Sequence, residues 1–215
     1  MVTHIKITLF SVLLCIVCTL TLAETISQQS SEWSDLVTLQ KTTSFRYDET
    51  RNLEMLDTPW QGGGLLLASK DGTLVKLQMR PQRKVMAITP GEMIYFDSET
   101  EERRRLPLST PHPMTRQALI FQELLQGRLD KISTDYDIAF KKKAPNWTLT
   151  LKPKATHDKP VFTEIIMRGS IDNTTRKIHL KETGGDSSTL SMQLLEIGPQ
   201  LEFMIERLLR EALGQ

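Results

Sequence analysis

Cysteine is almost missing. Of 215 residues, only Cys15 and Cys18 carry a thiol, and both lie in an apolar run near the start. The rest of the chain therefore has no disulfide framework and no thiol nucleophile. Histidine is equally sparse: His4, His112, His157 and His179 are scattered, and no pair has metal-ligand spacing. There is no Gly-X-Ser-X-Gly nucleophile elbow, and no carboxylate pair stands apart from ordinary surface composition. These absences argue against an enzyme, and neither a metal nor a cofactor is expected. Net charge is also missing, at +1 for the whole chain. A neutral total excludes a nucleic-acid binder that relies on bulk attraction to phosphate. Aromatic residues make up only 6%, so an apolar core or cavity must rest on aliphatic residues and methionine. Repeats and low-complexity linkers are lacking too, which points to one domain after the leader.

Residues 1–23, MVTHIKITLFSVLLCIVCTLTLA, have a short head with Lys6, an apolar run from Ile7 to Leu22, and small residues Thr21 and Ala23 before Glu24. This is the pattern of a cleavable secretory signal peptide. The run is short and lacks a charged stop for a spanning helix; an uncleaved anchor is the alternative. Neither cysteine follows the small-residue pair expected of a lipidated one. Cleavage leaves basic and acidic residues equal in number. An exported, cysteine-free domain over 24–215 fits the bacterial periplasm, and the two Asn-X-Thr matches at Asn146 and Asn173 are then coincidental.

Residues 31–43 begin with serine and acids and place Trp33, Leu36 and Val37 at helical spacing, which predicts a first helix. Period two follows. Strands are expected at 44–56, on both sides of the Asp71-Gly72 hairpin turn, and in KVMAIT, MIYFD and RLPLS. Gly62-Gly63-Gly64 lacks the Lys-Ser/Thr of a phosphate loop and reads as bulged backbone at a bend. The run Glu99 to Arg105 compensates its own charge and reads as a solvated turn. Helical period returns at 114–132, through Leu119, Phe121, Leu124, Leu125 and Leu129. Strands resume with YDIAFKK, WTLTLKP and VFTEIIMRG, then RKIHLKE and TLSMQLLE around a Gly184-Gly185 turn. A last helix, 200–213, carries an apolar stripe of Leu201, Met204, Ile205, Leu208, Leu209 and Ala212 and ends at Gly214. Hairpin turns dominate, so the fold class is α+β, mainly β: one curved antiparallel sheet with a few helices against it.

One strand is odd. In SFRYDETRNLEML, residues 44–56, one face holds Phe45, Tyr47, Glu49, Arg51, Leu53 and Met55. A glutamate and an arginine interrupt an otherwise apolar surface. Two apart on one face, they can form a lateral ion pair; alternatively the face turns outward there and both are solvated.

Read in order, these features resemble the LolA-type outer-membrane lipoprotein carriers, in a divergent LolA-related branch. The resemblance runs through the first helix, SFRYDETRNLEML, the block PWQGGGLLLASKDGTLVKLQMRPQRKVMAITPGEMIYFD, the helix before APNWTLTLKPK, and the GGDSSTLSMQL hairpin. It implies an open, incomplete antiparallel β-barrel with helices forming a lid over an apolar concave face. It further implies a monomeric periplasmic carrier of an acyl-bearing lipid or lipoprotein, with a transient inner-membrane donor and an outer-membrane acceptor. Cavity candidates on this view are Phe45, Tyr47, Leu53, Met55, Leu65, Leu67, Val75, Leu77, Met79, Met86, Ile88, Ile94 and Phe96. Arg51, paired with Glu49 or bonded to the lid backbone, is the latch candidate. The carriers place an Arg and a Pro just after the glycine-led strand; here that stretch is Ala68-Ser-Lys-Asp-Gly-Thr73. The departure leaves room for another cargo, such as a glycolipid or lipid-linked pigment. A lipid-sensing or interaction module of the envelope with the same fold is the alternative, and a hydrolase of envelope lipids is the third.

Overall fold

Alternating apolar and polar residues between tight turns carry this chain through two successive meanders. The computed structural model describes residues 36–157 and 159–215. The expected signal peptide, residues 1–23, and the expected start of the first helix lie outside the described residues. Leu36 and Val37 are helical, but the predicted helix does not run to residue 43, because strand β1 begins there. The first half of the sheet is β1 (Thr43–Asn52), β2 (Trp60–Ala68), β3 (Leu74–Arg80), β4 (Lys84–Ile88), β5 (Glu92–Asp97) and β6 (Arg103–Pro107). Two helices follow, α1 (Pro113–Leu125) and α2 (Leu129–Ile132). The second half is β7 (Tyr136–Lys143), β8 (Asn146–Pro153), β9 (Phe162–Ser170), β10 (Thr175–Glu182) and β11 (Ser187–Ile197), with α3 (Gln200–Leu213) last.

All strands join one antiparallel sheet in the order β6-β5-β4-β3-β2-β1-β11-β10-β9-β8-β7. Each half is a meander, and the β1–β11 pairing joins them. Among the described residues, strands β6 and β7 have one neighbour each, so the sheet is open, as the resemblance implies. Three boundaries differ from expectation. β1 stops at Asn52, and residues 53–59 form turns, because Asp57, Thr58 and Pro59 break the ladder sooner than the apolar pattern suggests. Arg103 and Arg104 are not turn residues but join Arg105, the first residue of the expected strand RLPLS, in β6, an edge strand on which exposed charge is well tolerated. The predicted helix 114–132 splits after Leu125, where Gly127 takes a left-handed φ of 68°. A Cβ there would fall 2.1 Å from the Thr38 hydroxyl, so only glycine fits.

The helices cover opposite faces of the sheet. Directly paired residues share a face, and the register aligns Leu67, Val75, Ala87 and Ile94, with Leu65, Leu77, Val85 and Phe96 in the next row. Leu201, Ile205, Leu208 and Ala212 of α3 pack on these side chains, and each large one buried contributes roughly 1.5–3 kcal/mol. Continued across β1, the same face becomes polar: Arg46 and Asp48, then Ser191, Lys177 and Arg168. The opposite face does the reverse, and its apolar part lies in the second half of the sheet.

Candidate functional site

On β8, Trp147, Leu149 and Leu151 alternate with Thr148, Thr150 and Lys152, and only the first set is buried. Ile165 and Met167 of β9, Ile178 of β10, Leu190 and Met192 of β11, and Phe45 and Tyr47 of β1 extend the same apolar surface. These ten side chains are all buried. Helix α1 is tied to this side of the sheet at two points. The Gln117 amide donates to the Glu182 carboxylate at 3.0 Å, at the end of β10. The Gln122 amide, itself buried, donates to the Gly72 carbonyl at 2.6 Å, in the β2–β3 turn. Between and beyond these anchors α1 and α2 bury Ala118, Leu124, Leu125, Leu129 and Ile132. The His112 ring caps the helix by accepting from the Met114 amide, with Thr115 completing the box.

The apolar surface ends at a charged cluster. The row Leu149, Met167, Ile178 and Leu190 runs directly into Glu49. Glu49 is only 6% exposed; it accepts from Arg51 Nε at 2.7 Å and is bonded by the Lys76 ammonium. Lys76 is on β3, so its side chain must cross β2 to reach β1. The β2 residues in its way are Gly62 and Gly64, which offer no side chain. A Cβ at Gly64 would also lie 2.0 Å from the Leu77 carbonyl oxygen. The triple glycine thus gives both the expected bulge, at Gly63–Gly64, and a cleared lane for a lysine. The Lys76 ammonium lies 4.9 Å from the Tyr47 ring centroid, and the Arg51 guanidinium 5.1 Å from that of Trp60.

Burial raises the Glu49 pKa, but the Lys76 and Arg51 charges and their hydrogen bonds outweigh it and hold the carboxyl below its ordinary range. Burial lowers the Lys76 pKa more than Glu49 raises it. Tyr47 is pushed well above the usual phenol value, first by burial and then by the Glu49 charge. Its buried hydroxyl has no hydrogen-bond partner among the described residues.

The predicted cavity residues do not share a surface. Phe45 and Tyr47 lie in the apolar face that continues from β8–β11, and Met86 and Ile88 are half-buried on the same side of the sheet, on β4. Leu65, Leu67, Val75, Leu77, Ile94 and Phe96 face the other way and form the α3 core. Leu53 and Met55 have left the strand, Met55 being 95% exposed, and Met79 is 58% exposed. Arg51 does pair with Glu49, but the hydrogen bonds that tie α1 to the sheet come from Gln117 and Gln122. Sequence reasoning missed Lys76 and Arg176. Arg176 is buried in the apolar face, donates to the Val37 carbonyl at 2.7 Å, and burial brings its pKa down to about 10. The signal for it was the alternation in TRKIHLKE, which puts Arg176 beside Ile178 and Leu180.

A family model described as outer membrane lipoprotein carrier protein LolA-like matches residues 34–193. No curated protein matches the chain. Among solved structures, a LolA superfamily protein from Nitrosomonas europaea is similar at 10% identity, over 81% of this chain and 96% of that one, with a TM-score of 0.41. A putative outer membrane lipoprotein-sorting protein domain from Vibrio parahaemolyticus shares 7% identity over 82% and 97% of the two chains, with a TM-score of 0.39. A chain of the MucA/MucB complex from Pseudomonas aeruginosa shares 12% identity over 79% and 56%, with a TM-score of 0.41.

Proposed function

Because this chain belongs to the LolA-like outer membrane lipoprotein carrier family, we propose that it is a periplasmic carrier that shields the acyl chains of a lipoprotein or another lipidated molecule. The observation behind this reading is the apolar face of β8–β11 and β1, wholly buried, with a short helix tied over it by two side-chain amides. Such a surface binds without catalytic groups, since each methylene taken out of water contributes about 0.8 kcal/mol. Entry of an acyl chain requires α1 to swing away, and the helix ends supply the means: a proline-flanked cap at His112 and the left-handed Gly127. The unpartnered Tyr47 hydroxyl, at the boundary between the apolar face and the Glu49 cluster, is a donor for the ester or amide carbonyl that joins an acyl chain to its head.

Native mass spectrometry of the purified mature protein, before and after incubation with a triacylated lipopeptide, tests the proposal. A one-to-one complex with an acyl-bearing species is expected, together with increased hydrogen exchange in α1 on loading. Absence of any such complex, from cells or after incubation, overturns the carrier reading.

A further inference from the structure

The polar part of the α3 face, far from α3 itself, is a cationic cleft. It has a volume of about 1260 Å³ and spans β7 to β11 and β1. One row across the strands reads Lys141, Thr148, Arg168, Lys177 and Ser191. Lys143 and Arg46 flank this row. Neighbouring strands lie about 4.8 Å apart, so Arg168 and Lys177 sit side by side with like charge. The acids along the cleft are Asp48, already paired with Arg80 at 2.9 Å, and Asp137. Lys152 has Glu164 at 3.6 Å. Arg46, Lys141, Lys143, Arg168 and Lys177 have no ion-pair partner among the described residues.

Protection of a sheet edge explains part of this pattern. Lysines on an edge strand discourage pairing with other chains, and Lys141 and Lys143 are on β7. Arg168, Lys177 and Arg46 are on interior strands, where no edge needs protecting. Like charges placed directly opposite on adjacent strands destabilise a sheet, so Arg168 beside Lys177 costs the fold something that a bound anion would relieve.

We propose that this cleft binds an acidic segment of a partner polypeptide. Three features select that occupant. The lining is cationic and rich in hydroxyl and amide groups, among them Thr148, Thr150 and Gln193, which suit carboxylates and peptide groups. It contains no aromatic side chain on which a sugar ring would stack. It also runs across neighbouring strands from β7 to β1, a length that an extended polypeptide segment can follow. The position, on the opposite face of the sheet from the apolar surface, lets a partner hold the protein while α1 moves.

The test uses the mature protein and a fluorescein-labelled twelve-residue peptide of alternating glutamate and serine, followed by fluorescence anisotropy. Saturable binding is expected at 50 mM salt, weakening at least tenfold at 300 mM. Arg168→Glu with Lys177→Glu should abolish it, whereas Arg207→Glu with Arg210→Glu, on the exposed side of α3, should leave it within twofold. Circular dichroism and Tm confirm that both variants fold. Peptide binding that is absent, or that survives the Arg168/Lys177 reversal, overturns the proposal. So does binding of phosphatidylglycerol vesicles that is lost in the same variant while the peptide fails to bind, which would assign the face to a membrane. None of these outcomes depends on lipid uptake, so the carrier reading stands or falls separately.

Discussion

Glu49 is the residue on which the charged cluster with Lys76 and Arg51 depends. With one ammonium and one guanidinium against it, its carboxylate is tolerated at 6% exposure. The two partners are not equal. Lys76 is 16% exposed and Arg51 42%, so Lys76 acts in the drier environment and Arg51 is largely screened. Removing one side of a buried pair costs about 3–5 kcal/mol. Glu49→Ala and Lys76→Ala should therefore each lose about 3 kcal/mol in urea unfolding, Arg51→Ala less than about 1 kcal/mol. A Glu49→Leu, Lys76→Met double variant should recover much of the loss, and additive losses would show that the two do not interact. A pH dependence follows from the same contact. The folded pKa of Glu49 lies below its unfolded value, so its stabilisation is complete above the ordinary carboxylate range. It is lost as pH falls through the folded pKa. Stability of the native protein should fall on acidification in that window, and Glu49→Gln should flatten that part of the curve.

At the scale of elements, the strands were legible and their facing was not. Turn pairs such as Asp71-Gly72, together with period-two alternation, located all the strands of the second half to within a residue or two. Alternation alone says that Phe45 and Leu67 each point to an apolar side; only the register shows that these are opposite sides, with α3 packed on that of Leu67. The Glu49–Arg51 pair could be read from spacing within one strand. Lys76 could not, because its contact spans an intervening strand and depends on two glycines whose role is to be empty. The amide of Gln122 is likewise a contact between distant segments. Its loss leaves a carbonyl unsatisfied in a buried place, worth about 1–3 kcal/mol. Gln122→Ala should accordingly speed amide exchange through α1 well before global unfolding, and should raise the uptake rate of a lipopeptide. Unchanged exchange in α1 would show that packing of Leu124 and Leu125, not the amide, holds the helix.

For the whole molecule, the near-neutral net charge conceals an uneven distribution: cations without an ion-pair partner among the described residues gather on one side of the second half-sheet, and the apolar surface occupies the other. Composition sums over both and reveals neither. What the two sides share is one set of hydrogen-bonded strands, while α1 is joined to them through a capped start, a glycine end and two amides. On the carrier reading proposed above, loading is a motion of α1 relative to the sheet. A cross-link separates this from a sheet that opens elsewhere, for instance between the free edges β6 and β7. A protein that starts at Glu24 has no cysteine, so Gln117→Cys and Glu182→Cys introduce its only thiols, at two side chains already in contact. A short bismaleimide with a cleavable centre should tether α1 to β10 there. Uptake of the triacylated lipopeptide should fall at least tenfold in the tethered protein and return on cleavage. Full uptake with the tether intact would place the entrance elsewhere and leave α1 as a fixed part of the core.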